Sequence, residues 1–149
     1  MATPHFEYSH ITPQITIGTN MCCSMHEKDL VKLGFEADTD LEQERQETPP
    51  KIDFYLWLPI KDHSAPSQDQ LKVGALFIKD LVEAGKKIYV HCKNGHGRAP
   101  TLVAAYFILQ GMSVDKAIKT IAAKRPEIHL EPPQLKALDE FASAVETAA

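Results

Sequence analysis

Ile88-Tyr89-Val90-His91-Cys92-Lys93-Asn94-Gly95-His96-Gly97-Arg98 decides the fold of this 149-residue chain. An apolar run ends at a short loop with two glycines, and a helix-like run, Leu102 to Leu109, follows. A loop this short must turn tightly, and Gly95 and Gly97 permit backbone conformations and close approaches that side chains resist. The amides of Lys93, Asn94, Gly95, His96, Gly97 and Arg98 can then point inward. With the positive end of a helix that starts near Arg98, they make a concavity suited to a tetrahedral dianion. Arg98 closes that concavity with a planar fork able to hold two oxygens at once. The same field favours a thiolate on Cys92 at its base. The pattern is a phosphate trap with a nucleophile, and it lacks the Gly-x4-Gly-Lys-Ser/Thr form of nucleotide-binding loops.

Working outward, Lys87 to His91 reads as a central strand that delivers Cys92 at its carboxyl end, where open α/β sheets place ligand sites. Pro100 fits the first turn of the helix after it. Upstream, Ser67 and Gln70 form a capping box, Leu71, Gly74, Ala75, Ile78, Leu81 and Val82 make one helical face, and Gly85 ends the helix. Phe54 to Leu58 is an almost continuous apolar run, expected of a strand buried on both faces with Trp57 in the core. Ile15-Thr16-Ile17 reads as a short strand, His26 to Leu33 as a brief helix ended by Gly34, and Phe35 to Asp38 as a weak strand. Thr39 to Pro50, with Glu42, Glu44, Arg45 and Glu47, has no apolar face and reads as a solvated loop, alternatively a substrate-recognition rim. Downstream, Ser113 caps a helix that presents Val114, Ala117, Ile118 and Ile121. A last helix after Pro132-Pro133 presents Leu135, Leu138, Phe141 and Val145. Strands alternate with helices, so the expected fold is α/β. A central, mostly parallel sheet of about four to five strands is flanked by helices, in one domain spanning residues 1–149.

Composition narrows the function. A 44% hydrophobic content suits one full core, and the net charge of −4 argues against a nonspecific nucleic-acid binder. No apolar stretch is long enough to span a bilayer, and Met1-Ala2-Thr3-Pro4-His5 lacks the features of a secretory signal, so no stable membrane association and a cytoplasmic location are expected. A monomer is favoured. Three cysteines, one of them a proposed thiolate, fit a reducing compartment. Cys22 and Cys23 read as small apolar or loop residues, although a disulfide from either to Cys92 would switch the site off.

The segment His91-Cys92-Lys93-Asn94-Gly95-His96-Gly97-Arg98 resembles the Cys-x5-Arg signature of the protein tyrosine phosphatase superfamily. The chain from Ile15 to Phe141 looks like one of its small, atypical dual-specificity phosphatases. Cleaving a phosphate monoester expels an alkoxide or phenoxide, so a carboxylic acid must protonate the leaving oxygen. Asp62, in the loop Pro59 to Pro66, occupies the place from which these enzymes supply their general acid, whereas Asp53 and Asp69 read as structural or capping residues. The resemblance therefore implies Cys92 as nucleophile, Asp62 as acid and then base, and Arg98 with the loop amides as the phosphoryl cradle. His91 orients the loop or is a core histidine. No cofactor is implied. No metal is needed, and the histidines show no ligand cluster.

Phosphorylated proteins are the expected partners. Phosphoinositides or other lipid and inositol phosphates are the alternative, since Lys93 and His96 stand where lipid phosphatases of the superfamily carry basic residues. One departure bears on turnover. The family usually places serine or threonine directly after the arginine, whereas here Ala99 and Pro100 precede Thr101. This supports a third reading, a phosphate-binding module with little turnover.

Overall fold

A computed structural model describes residues 7–20, 30–45 and 51–148. Its elements run β1 (Tyr8–His10), β2 (Ile15–Gly18), β3 (Ala37–Glu42), β4 (Phe54–Ile60), α1 (Gln68–Glu83), β5 (Ile88–His91), α2 (Arg98–Leu109), α3 (Val114–Lys124) and α4 (Pro132–Ala148). The strands form one sheet in the order β1-β2-β5-β3-β4. β2, β5, β3 and β4 run parallel, and β1 adds an antiparallel edge that the sequence reading does not contain. β5 sits in the middle, so Cys92 leaves the sheet with a strand on each side. The expected α/β architecture is the observed one. Among the described residues no helix is long and apolar enough to cross a membrane.

Side-chain alternation splits the sheet into two unlike faces. Ile15, Ile17, Ala37, Leu41, Leu58, Ile88 and Val90 enter the main core with the helices. The central helix there is α2, whose residues from Arg98 to Ile108 are all buried, as befits a helix covered all round. α1 carries the predicted capping box, with Ser67 accepting from the Gln70 amide and Gln70 reaching back to the Ser67 amide. Gly85 turns out of α1 at φ 77°. The other face carries Thr16, Tyr89, His91, Asp38, Asp40 and Glu42, all buried.

That second face overturns one boundary and one assignment. The strand expected at Phe35 to Asp38 begins at Ala37 and continues to Glu42, so Thr39 to Glu42 lie in a buried strand, not in a solvated loop. The acidic residues look exposed in sequence because their buried partners come from other elements. Asn20 Nδ2 donates to Glu42 Oε2 at 3.3 Å, and His91 lies against all three carboxylates.

β4 also departs from expectation. It is an edge strand, so its continuous apolar run is covered unevenly: Phe54 is 39% exposed and Trp57 is half-buried, its indole N–H donating to the Glu42 carbonyl at 2.8 Å. In α4, Leu135 faces out and its neighbour Gln134 is buried. Of the helix expected at His26 to Leu33, residues 30–32 are helical and Gly34 leaves it at φ 84°, while residues 26–29, like Cys22 and Cys23, lie outside the described residues.

Candidate active site

The loop between β5 and α2 is shaped by what holds its carbonyls. Lys93 O accepts from the Asn20 amide at 3.2 Å and His96 O from the His129 amide at 2.7 Å. Asn94 O and Gly95 O accept from Arg125 Nη2 and Nε, each at 2.9 Å. Gly97 O accepts from the Thr101 amide and hydroxyl. Five successive carbonyls are thus tied to groups outside the loop, and a peptide whose carbonyl points out points its N–H in. Gly95 is required at the tightest point. Its φ is 69°, and a Cβ there would lie 2.7 Å from Gly18 O and 2.9 Å from Arg125 Nη2. Gly97 begins α2 with no side-chain cap, which leaves the first-turn amides for an anion.

Cys92 lies at the base of this loop, 3% exposed. A cavity of about 350 Å³ opens above it, lined by Cys92, Lys93, His96, Arg98, Asp62 and Gln134 among others. The residues expected to share a site are therefore brought together. Lys93 and Asn94 are exposed on the rim, and His96 is half-buried.

Arg98 is buried, and its fork is divided. Nη1 and Nη2 both donate to Glu44, at 2.7 and 2.9 Å, and Nη1 also donates to Ile60 O at 2.8 Å. This end-on grip leaves the edge formed by Nε and Nη2 for phosphoryl oxygens. Asp62 Oδ1 lies 3.5 Å from Nη2, beside that edge. The hydrogen bond from Arg98 lowers the Glu44 carboxyl to about 2, against the opposing effect of burial. Burial pushes the Arg98 guanidinium down, but the hydrogen bond to Glu44 and the charges of Cys92, Glu44 and Asp62 outweigh it and hold it up. Arg98 stays cationic.

Asp62 is half-exposed at the cavity mouth. It accepts from the His63 amide at 3.0 Å, where His63 adopts φ 64°. Gln134 fastens the following residue, its Nε2 donating to Ser64 O at 3.1 Å while Oε1 accepts from the Glu131 amide. The other supporting residues are placed as follows. His91 is buried behind the loop with its ring nitrogens toward the carboxylates of β3. Thr101 Oγ1 donates to Gly97 O at 2.7 Å, so its proton serves the loop backbone, and Ala99 is buried without a hydroxyl to offer.

Three contributors were not legible as site residues. Arg125 appears in sequence only as the residue before Pro126, Gln134 as a polar interruption in a helix start, and Glu44 as one charge among several. No local pattern marks any of them, because each acts across 30 residues or more.

Comparison with known proteins adds four findings. The model for the dual specificity phosphatase catalytic domain matches residues 16–144. The human phosphatidylglycerophosphatase and protein-tyrosine phosphatase 1 is 42% identical over 77 residues, covering 51% of this chain and 38% of that protein. The phosphatidylglycerophosphate phosphatase PTPMT2 of Arabidopsis thaliana is 37% identical over 89 residues, covering 58% and 39%. The chain thus spans about two-fifths of the length of these curated relatives. Among solved structures, human DUSP28 superposes with a TM-score of 0.82 at 22% identity, covering 97% of this chain and 99% of that one, a likeness of fold.

Two outcomes test this geometry. Arg125→Met removes the donors of Asn94 O and Gly95 O, each buried acceptor costing about 1–3 kcal/mol when left unpaired. It should lower Tm and weaken inhibition by inorganic phosphate, and unchanged phosphate affinity would show that the carbonyls need no such clamp. Glu44, held at about 2 against an ordinary 4.5, supports the Arg98 pairing fully above pH 4.5 and loses it as pH falls through about 2. A carbon-13 titration of its carboxyl should show that midpoint in the native protein, and a midpoint near 4.5 would contradict the pairing.

Proposed function

Because the chain belongs to the dual-specificity phosphatase family, we propose that it hydrolyses phosphate monoesters at Cys92 and that its preferred substrates are alkyl phosphates on anionic, lipid-type headgroups. The observation that carries the reaction is the convergence of Cys92, Arg98 and Asp62 on one cavity beneath an inward-facing ring of amides.

The chemistry follows from the placement. The thiolate Sγ of Cys92 attacks phosphorus as the bond to the leaving oxygen breaks, and Asp62 gives that oxygen its proton. The equatorial oxygens are held by the loop amides and the free edge of Arg98, donors fixed before the charge arrives. Asp62, now a carboxylate, takes a proton from water. The water oxygen attacks phosphorus, the S–P bond breaks, and phosphate leaves with the thiolate restored. Loop amides and the α2 N-terminus are left to stabilise the departing thiolate, since Ala99 supplies no hydroxyl and Thr101 turns to Gly97 O.

The choice of headgroup phosphates reverses the order of preference that the sequence supports, in which phosphoproteins come first. It rests on two supports. Relatives 42% and 37% identical to this chain over 77 and 89 residues are named for phosphatidylglycerophosphate. The rim also offers Lys93, His96 and His129 around the mouth, cationic or protonatable groups suited to a second anionic group on the same substrate. Phosphotyrosyl protein is the second reading, supported by the other half of the human relative's name.

Phosphatidylglycerophosphate in mixed vesicles and a phosphotyrosine peptide, assayed in parallel, separate the two. The wild type should show the higher kcat/KM on the lipid. Lys93→Ala with His96→Ala should lower that value by about tenfold or more, the scale of one charge-assisted hydrogen bond, and affect the peptide far less. Preference for the peptide, or equal losses on both, would favour the phosphoprotein reading.

A further inference from the structure

The loop that carries Asp62 is pinned at its feet by glutamines. Gln70 Nε2 donates to Pro59 O at 3.1 Å, the Ser64 amide closes on Lys61 O at 3.0 Å, and Gln134 Nε2 donates to Ser64 O. Between these points His63 adopts φ 64°, and among the described residues it is the one non-glycine with a positive φ. Such a conformation is strained and persists only where the surroundings impose it. Histidine is among the residue types that tolerate it. Here it wraps His63 around the Asp62 carboxyl: the amide N–H donates to Oδ1 at 3.0 Å, and ring Nε2 lies 3.7 Å from Oδ2.

The two oxygens of Asp62 are therefore unlike. Oδ1 faces two donors, the His63 amide and Arg98 Nη2 at 3.5 Å, so the hydrogen of the protonated acid belongs on Oδ2. Oδ2 faces the ring of His63, and that ring is anchored on its far side, where Nδ1 lies 3.4 Å from Glu131 Oε1. A hydrogen on Nδ1 directed at that carboxylate turns the Nε2 lone pair of the neutral ring to Oδ2. Hydrogen bonds around catalytic groups are commonly long in a free enzyme and tighten in its complex. Glu131 is a firm anchor. Its amide donates to Gln134 Oε1 at 2.8 Å at the entry to α4, and its carboxylate lies 3.8 Å from His129 Nε2. The His129 amide in turn holds His96 O of the phosphate loop at 2.7 Å. The segment from His129 to Gln134 thus touches the nucleophile's loop at one end and the acid's loop at the other, and sets the distance between them.

We propose that His63 is the positioning residue of the general acid, with Glu131 as its anchor: the ring directs Asp62 Oδ2 and its hydrogen into the cavity, toward the leaving oxygen. This role presupposes Asp62 as the acid, as in the reaction above. It adds no group to the reacting atoms, and the proton still passes from Asp62 to the leaving oxygen. It matters most for alkyl phosphates, whose alkoxide is too basic to leave without a proton, and least for activated aryl phosphates. Asp62 is half-exposed at the mouth, so without the ring its carboxyl turns freely, and a displaced reacting group costs up to about 10²-fold in rate. The sequence marks His63 only as the neighbour of Asp62, because Glu131 comes from a segment far along the chain.

The test is kcat/KM across phosphate monoesters whose leaving groups run from glycerol-type alcohols to a nitrophenol, in the wild type, Asp62→Ala, His63→Asn, Glu131→Gln and the last two combined. Asparagine keeps the positive φ, so His63→Asn removes the ring and not the turn. The His63 side chain is 77% exposed, and its replacement should leave Tm near the wild-type value. Asp62→Ala should show a steep dependence on the leaving group. His63→Asn and Glu131→Gln should each lower kcat/KM on the alkyl esters by about tenfold or more, with a loss that shrinks toward the nitrophenyl ester. The combined variant should lose no more than His63→Asn alone, because both act through one contact. Losses equal across leaving groups, or losses that multiply in the combined variant, would overturn the role of His63. A Glu131 that acted only as a charge at the mouth would instead tighten inhibition by inorganic phosphate, leave the leaving-group dependence of the wild type and reject the anchor. If Asp62→Ala itself keeps the wild-type dependence, the acid assignment falls and His63 with it, whereas a steep Asp62→Ala beside an unchanged His63→Asn rejects His63 alone. Should a variant fail to fold, a crystal structure of the wild type with orthovanadate on Cys92 decides the matter. A ring between Asp62 and Glu131 supports the role, and a ring turned to solvent rejects it.

Discussion

The structure depends on the turning-out of the loop carbonyls between Cys92 and Arg98. A phosphate cradle made of backbone needs consecutive peptides in one orientation, which a free chain does not hold. Here the orientation is imposed from outside. Arg125 takes two carbonyls, the Asn20 and His129 amides take one each, and Thr101 secures Gly97. Gly95 is where the chain passes closest to Gly18 and Arg125, so the clamp and the glycine are parts of one requirement.

Charge in the site is arranged on the same plan. Arg98 must be fixed before substrate arrives yet keep donors to offer it. Glu44 and Ile60 O hold its end, which leaves the adjacent edge directed to the cavity. Asp62 stands beside that edge on a loop secured through Ser64 by Gln134. The nucleophile and the cradle on one loop, and the acid on another, thus have relative positions set by polar contacts and not by the apolar core alone. Such networks are stiff when fully satisfied.

How much of this was legible in the sequence follows from the range of each interaction. The phosphate loop, the capping box at Ser67, the turn at Gly85 and the face of α1 were legible because their determinants lie within a few residues. The parallel sheet followed from the alternation of strands and helices. β3 was legible only at its start, Ala37 and Asp38, since Asp40 and Glu42 look solvated until His91 and Asn20 are brought to them. Phe54 to Leu58 was read as doubly buried because an apolar run does not state how many neighbours its strand has, and β4 has one. Arg125, Gln134 and Glu44 were missed for the same reason: each is decisive only through partners far along the chain.

The central claim is a covalent phosphoenzyme at Cys92 whose breakdown we propose to be the slower step, since Ala99 offers no hydroxyl. Rapid mixing with an aryl phosphate followed by acid quench and peptide mass analysis tests this directly. The account predicts one phosphoryl group on the peptide containing Cys92, appearing together with a burst of phenol, and none in Cys92→Ser. Steady turnover with no phosphoryl group on that peptide and no burst would contradict it.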